Sequence, residues 1–183
     1  MKTIVGLGNP GEEYKQARHN AGRLALEYFA KKNDFSEWKK SKPLQSIVGE
    51  GALKKEKVIL ILPETFMNNS GGAVKNLSAK NIIVLHDDID LPLGKIKISF
   101  GRGSGGHKGV ESVIRALKTK NFWRIRIGVS PCKKPEHKKI PDFLTSTMRK
   151  PDFETLKKSF KKISEALETM LAESPEKEMG KFN

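Results

Sequence analysis

Hydrophobic and polar positions divide this chain into short apolar runs, alternating runs and stretches of three-and-four spacing. Residues 2–7 form a compact apolar run ended by glycine and proline, which predicts a buried strand. Over 19–32, Ala21, Leu24, Ala25, Tyr28 and Phe29 recur at helical spacing and predict one apolar helix face. Residues 44–53 and 57–62 read as two strands joined by the charged turn Lys54–Lys55–Glu56. A loop, PETFMNNSGGAV, leads to a short helix at about 70–79. Ile82–His86 is a further strand, ending in Asp87 and Asp88. Residues 95–100 and 123–129 alternate and read as strands, and between them GRGSGGHKG opens a helix over 107–118. In 152–172 the residues Phe153, Leu156, Phe160, Ile163, Leu167 and Met170 form an apolar stripe, with Lys157, Lys158, Lys161 and Lys162 off it. Residues 131–150 carry three prolines and five lysines with little periodicity and read as a loop or lid, and 173–183 as a frayed tail.

Interleaved strands and helices with one hairpin predict an α/β fold, a three-layer sandwich with a mixed, twisted β-sheet flanked by helices. At 183 residues, one domain over 1–183 accounts for the whole chain. No apolar run reaches the roughly 18 residues of a membrane span, and no apolar leader precedes the first strand, so neither membrane insertion nor export is expected. The single cysteine, Cys132, reads as an incidental thiol in a reducing cytoplasm, and no Cys/His cluster suggests zinc.

Charge adds a partner. The formal net charge is +14, and all of the excess falls in residues 95–162, with 19 Lys/Arg against 5 Asp/Glu. Positive charge so concentrated attracts polyanions by counterion release, which makes nucleic acid the favoured partner.

Several motifs carry chemistry. Gly6, Gly8 and Gly11 match the dinucleotide fingerprint in spacing, but Pro10 occupies the loop and Glu12 and Glu13 stand where phosphates would be repelled. The turn instead brings backbone and the Asn9 amide close to a ligand. His19, at the mouth of the first helix, reads as a base kept neutral by the positive helix end. Asp87, Asp88 and Asp90 leave three readings open: a magnesium site, an aspartate that orients His19, or an ordinary turn. There is no GxSxG elbow for Ser104, so a serine nucleophile is unsupported. A base, a carboxylate and the amides of Asn9, Asn20, Asn68 and Asn69 suit attack by an activated water on an ester. The glycine-rich loop with Arg102, His107 and Lys108 reads either as a phosphate-binding helix start or as a hinge.

Taken together, GLGNPGEEYKQARHNAG (6–22), PETFMNNSG (63–71) and LHDDIDLPLGKIKISFGRGSGGHKG (85–109), with IRIGV at 125–129, resemble the bacterial peptidyl-tRNA hydrolases over nearly the whole chain. The resemblance implies a monomeric, metal-independent, cofactor-free cytoplasmic esterase. Its partner would be peptidyl-tRNA, held by its acceptor stem and cleaved at the terminal ribose ester. The resemblance implies His19 as catalytic base and Asp87 as the carboxylate that orients it. It also implies Asn9, Tyr14, Phe66 and Asn68 as substrate-binding residues, and it decides the aspartate question against a metal. Two departures stand out. Lys108 occupies a position where the family usually has Asn, and lysine offers no acceptor. The segment between Asn68 and Asp87 is also several residues shorter than usual. The rival from another class is an RNA-binding protein that keeps the fold without the activity.

Overall fold

A computed structural model describes residues 1–53, 56–131, 134–173 and 179–180. The turn at Lys54–Lys55, Cys132 and most of the 173–183 tail lie outside the described residues.

Seven strands form one mixed sheet: β1 (Lys2–Gly6), β2 (Lys39–Ser41), β3 (Ser46–Leu53), β4 (Glu56–Pro63), β5 (Ile82–Pro92), β6 (Ile96–Phe100) and β7 (Trp123–Ser130). Their order is β2-β3-β4-β1-β5-β7-β6. The apolar run of β1 is central, parallel to β4 on one side and to β5 on the other. Such runs, buried on both faces, are what a central parallel strand requires. The antiparallel pairs β3–β4 and β6–β7 lie to either side.

Helices cover both faces. α1 (Ala21–Lys32) and the long α4 (Lys150–Ala172) pack on one, where Phe29, Phe160, Ile163 and Leu167 meet Ile4, Leu60, Leu85 and Ile127. α2 (Lys108–Leu117) and a 3-10 run over Met67–Val74 cover the other, around Val5, Ile61, Val84, Val113 and Phe122. Burying each such side chain fully contributes about 1.5–3 kcal/mol. This is the three-layer sandwich expected from the sequence.

Four local readings change. The short helix expected at 70–79 is the 3-10 run Met67–Val74, whose adjacent glycines are poor α-helix formers and let it lie close against α2, where a Cβ on Gly71 would meet the Ser112 carbonyl oxygen at 2.3 Å. β5 runs on to Pro92, so Asp87 and Asp88 lie within the strand rather than beyond it. An irregularity in its pairing with β7 between Asp88 and Pro92 explains why the pattern hides this extension. The 131–150 segment contains a 3-10 turn at His137–Lys139 and the helix α3 (Ile140–Thr145). Finally, Leu26 is buried where Tyr28 is 39% exposed, which rotates the inner face of α1 from the predicted one. The three-residue edge strand β2 carries no apolar alternation and is invisible to periodicity.

Gly22 sets the position of α1. A Cβ there would lie 2.2 Å from the Leu85 carbonyl oxygen, so only glycine lets the helix start rest directly on β5. The preceding turn, Arg18–Asn20, is thereby held against the carboxyl half of that strand.

Candidate active site

The carboxyl ends of β1, β4 and β5 are where parallel α/β sheets form their clefts. His19 arrives there on the 3-10 turn before α1 rather than in the helix itself. Its Nδ1 lies 2.9 Å from Asp87 Oδ1 and 3.0 Å from Oδ2. Asp87 is 1% exposed, and its Oδ1 is also 2.8 Å from His107 Nε2. The His19 and His107 rings stand 4.9 Å apart.

Hydrogen bonding fixes the tautomers. His107 is the N-cap of α2, and its Nδ1 accepts from the backbone N–H of Gly109 (3.1 Å) and Val110 (3.2 Å). Its proton therefore sits on Nε2 and is donated to Asp87. The same ionised carboxylate only accepts, so His19 donates to it from Nδ1 and keeps the lone pair of Nε2. His19 lines a cavity of about 1140 Å³, onto which Nε2 is the ring nitrogen left available.

Burial acts to lower the His19 pKa, but the adjacent Asp87 carboxylate outweighs it, and the value lies above that of an ordinary imidazole. This reverses the expectation from the helix dipole: a carboxylate in contact dominates the weak positive end of a helix that begins two residues later. Burial pushes Asp87 upward, yet His19 and His107 hold it well below the usual carboxylate range. Behind them, His86 donates from Nδ1 to the Asp87 carbonyl at 2.7 Å. Burial, then the neighbouring His107 and Arg124, keep it well below the ordinary imidazole value.

The donor atoms of His19, Asp87 and His107 lie within 4.8 Å of one another, close enough to invite a metal. The His107 cap argues against one. A metal on Nε2 would require the proton on Nδ1, where two backbone N–H donors already point.

Asn9 belongs to an adjoining polar knot. Its backbone N–H donates to Asn20 Oδ1 (2.8 Å), Asn20 Nδ2 donates to its carbonyl (2.9 Å), and its Oδ1 accepts from Met67 N–H (2.8 Å). The side-chain Nδ2 takes no partner among the described residues and is left to donate. Asn68 follows Met67 and is exposed, Phe66 is 59% exposed and Tyr14 is half-buried. Asn9 lines a second, smaller groove with Asn20 and Arg23, whereas Tyr14, Phe66 and Asn68 line neither cavity. The structure therefore brings His19 and Asp87 into contact and leaves Asn9, Tyr14, Phe66 and Asn68 on neighbouring surfaces. Lys108 lines the large cavity, with its Nζ 3.5 Å from Glu111.

Sequence reasoning missed His107 as a partner of Asp87. The available signal was a histidine directly before a helix, where Ser, Thr, Asp or Asn is usual. It also missed Arg124, a guanidinium 2% exposed that donates to the Gly103 carbonyl at 2.9 Å and so pins the glycine-rich loop. The cavity walls carry Lys97, Arg102, Arg124, Arg126 and Lys134, all from the basic segment 95–162, against Asp88 and Asp90. Arg126 pairs with Asp88 at 2.6 Å and Lys134 with Asp90.

Residues 3–183 match the family model described as peptidyl-tRNA hydrolase. The chain is 39% identical over 189 residues to the peptidyl-tRNA hydrolase of Alkaliphilus oremlandii, with the whole of both chains covered. It is 39% identical to that of Finegoldia magna, covering all of this chain and 97% of the relative. Among solved structures, the peptidyl-tRNA hydrolase of Acinetobacter baumannii superposes with a TM-score of 0.91 at 28% identity, covering 100% of this chain and 94% of that one.

Proposed function

The chain belongs to the peptidyl-tRNA hydrolase family, and from that premise we propose that it hydrolyses the ester joining a peptide, or an N-blocked aminoacyl group, to the terminal ribose of tRNA. The observation that carries the reading is the buried His19–Asp87 contact, 2.9 Å long, with the Nε2 lone pair of His19 directed to a cavity walled by cations.

In this mechanism His19 Nε2 takes a proton from water as the oxygen attacks the ester carbonyl carbon. Asp87 holds the ring and stabilises the transient imidazolium. The tetrahedral intermediate collapses with cleavage of the bond to the ribose oxygen, which recovers the proton from His19. The products are a peptide carboxylic acid, which ionises, and tRNA with a free hydroxyl. His107, held by its cap bonds, keeps Asp87 in place. Asn9 and Asn68 position the water and the peptide carbonyl, with Tyr14 and Phe66 against the substrate.

The cations of the 95–162 segment, Lys108 among them, engage the acceptor stem through phosphates, with no reading of base sequence. The whole chain acts as one monomeric unit in the cytoplasm, recycling tRNA from abandoned translation, with no metal or organic cofactor.

The test is release of tRNA from an N-acetylaminoacyl-tRNA by the native chain and by His19→Ala, each with EDTA. Turnover indifferent to EDTA and reduced in the variant by at least the roughly 10²–10⁴-fold of general acid–base catalysis supports the mechanism. Tight tRNA binding without turnover would replace it with the RNA-binding reading, and Lys108→Asn would then be the informative substitution.

A further inference from the structure

Arg18 stands one residue before His19 in the same three-residue 3-10 turn, and it is 6% exposed. A buried guanidinium must be paired or its desolvation is uncompensated. Its Nη2 donates to Asp152 Oδ2 at 2.9 Å, in the first turn of α4. Its other partner is an aromatic ring: the guanidinium carbon lies 4.0 Å from the centroid of Phe143, in the middle of α3. Stacking of this kind is attractive, and more so where the guanidinium is desolvated.

The segment around α3 is tied to the same turn by backbone. Ala17 forms an isolated antiparallel bridge with Thr147, and Met148 N–H donates to the Gln16 carbonyl at 2.8 Å. On its other side α3 is cavity wall: Ile140, Pro141, Leu144 and Thr145 face the space that His19 also lines. α3 is only six residues long and none of them is fully buried: Pro141 and Asp142 are exposed, and Ile140, Phe143, Leu144 and Thr145 are half-buried, so its hold on the body of the protein depends on a few side chains.

We propose that Arg18, clasped between Phe143 of α3 and Asp152 of α4, is a positioning residue that ties the α3 wall of the cavity to the turn carrying His19. Through it, α3 seated over the cavity holds the His19 ring against Asp87, and α3 displaced releases it. The inference rests on the reading of His19 as the base. Its consequence is that a substrate touching only the α3 wall influences the chemical step, which no direct contact with His19 would explain.

The test uses the full chain carrying Phe143→Leu, which removes the stack and leaves every charge in place, and Arg18→Lys, which keeps the charge and loses the planar fork. Three quantities are read: thermal unfolding, kcat and KM on N-acetylaminoacyl-tRNA, and the NMR titration of the His19 ring. The groups facing that ring, Asp87 from β5 and His107 from the start of α2, with His86 behind them, are unchanged in both variants. The expected result for Phe143→Leu is a kcat lower by about 10–100-fold, within the range a misplacement of about 1 Å costs. KM should change less than about twofold, because the step affected follows binding. The His19 titration should move to lower pH, since a ring drawn away from Asp87 no longer feels the carboxylate that raises it. Arg18→Lys should show the same signs. Loss of unfolding temperature with native kcat and native His19 titration would make Arg18 a structural anchor only and overturn the proposal.

Should Arg18→Lys fail to fold, Phe143→Leu decides alone. Should the native chain release no tRNA, the mechanism fails separately, and the His19 titration still decides whether α3 and His19 are coupled.

Discussion

Replacing Asp87 by asparagine tests the centre of the site most directly. The amide is the same size, and the position is buried, so the perturbation is electronic rather than steric. At an effective dielectric of about 20, an imidazolium and a carboxylate 2.9 Å apart attract by about 6 kcal/mol. That is a ceiling, because the amide oxygen still accepts one hydrogen bond. The charge-assisted part contributes about 1.5–3 kcal/mol net, or roughly 10- to 150-fold in rate.

A second loss adds to it. Oδ1 accepts from both histidines, so an amide keeps its oxygen there and puts Nδ2 at the Oδ2 position, 3.0 Å from His19 Nδ1. Two donors cannot face each other. With a donor at 3.0 Å and an acceptor already shared with His107, the Nδ1–H tautomer of His19 loses its advantage and the proton shifts toward Nε2, the nitrogen that has to accept from water. The analogous carboxamide in a Ser-His-Asp triad costs about 10⁴-fold through the wrong tautomer, and Asp87→Asn should lose about 10³–10⁴-fold in kcat.

The pH profile supplies the sign. His19 works when neutral, so activity falls as pH drops through its pKa. In the native chain Asp87 lifts that pKa above the ordinary value against burial. In the variant burial remains and the carboxylate is gone, so the acid limb should move to lower pH. The assay is kcat/KM on N-acetylaminoacyl-tRNA between pH 5 and 9, at about constant ionic strength. A variant within about tenfold of the native rate, or an acid limb that stays or moves to higher pH, would refute the assignment of Asp87.

Three further outcomes are expected. His107→Ala should lower stability by about 1 kcal/mol through loss of the helix cap, and kcat about tenfold or more as Asp87 loosens, measured by thermal unfolding and by turnover. Lys97→Gln and Arg102→Gln should weaken tRNA binding and reduce its salt slope by about one for each phosphate no longer neutralised, read from binding isotherms at several salt concentrations. Gly22→Ala should destabilise by about 1–3 kcal/mol or more, because its methyl would meet the Leu85 carbonyl oxygen at 2.2 Å, and chemical denaturation with an unchanged m-value would show it.

The central architecture was legible because its signals are local. Continuous apolar runs mark β1, β4 and β5, and the stripe from Phe153 to Met170 marks α4. What periodicity could not supply was anything decided by partners. β5 continues through Asp87 and Asp88 because β7 pairs with it, not because aspartate favours strands. The Met67–Val74 run is 3-10 because it lies against α2, with Gly71 N–H donating to Ser112 Oγ at 3.0 Å. In the candidate site, His19 and Asp87 could be singled out from residue type and motif, but their contact spans 68 positions and belongs to the fold. His107 was hidden for the same reason: its role depends on two backbone N–H groups downstream and one carboxylate twenty residues upstream. The rise in the His19 pKa followed from that contact, while the dipole argument used only what lay nearby in sequence.

The place of β1 between β4 and β5 bears on how the chain is made. β1 is a central strand that precedes both of its neighbours in the chain, and these begin only at Glu56 and Ile82. At about 5–20 residues per second, an apolar ribbon with both edges open waits several seconds on the ribosome for its partners. A chain elongated only as far as β4 cannot contain both His19 and Asp87, so under the proposed mechanism it is inert until the middle of the sheet has closed. On that mechanism, competence in a newly made molecule reports on the pairing of β1 with β5, partners about 80 residues apart in the chain.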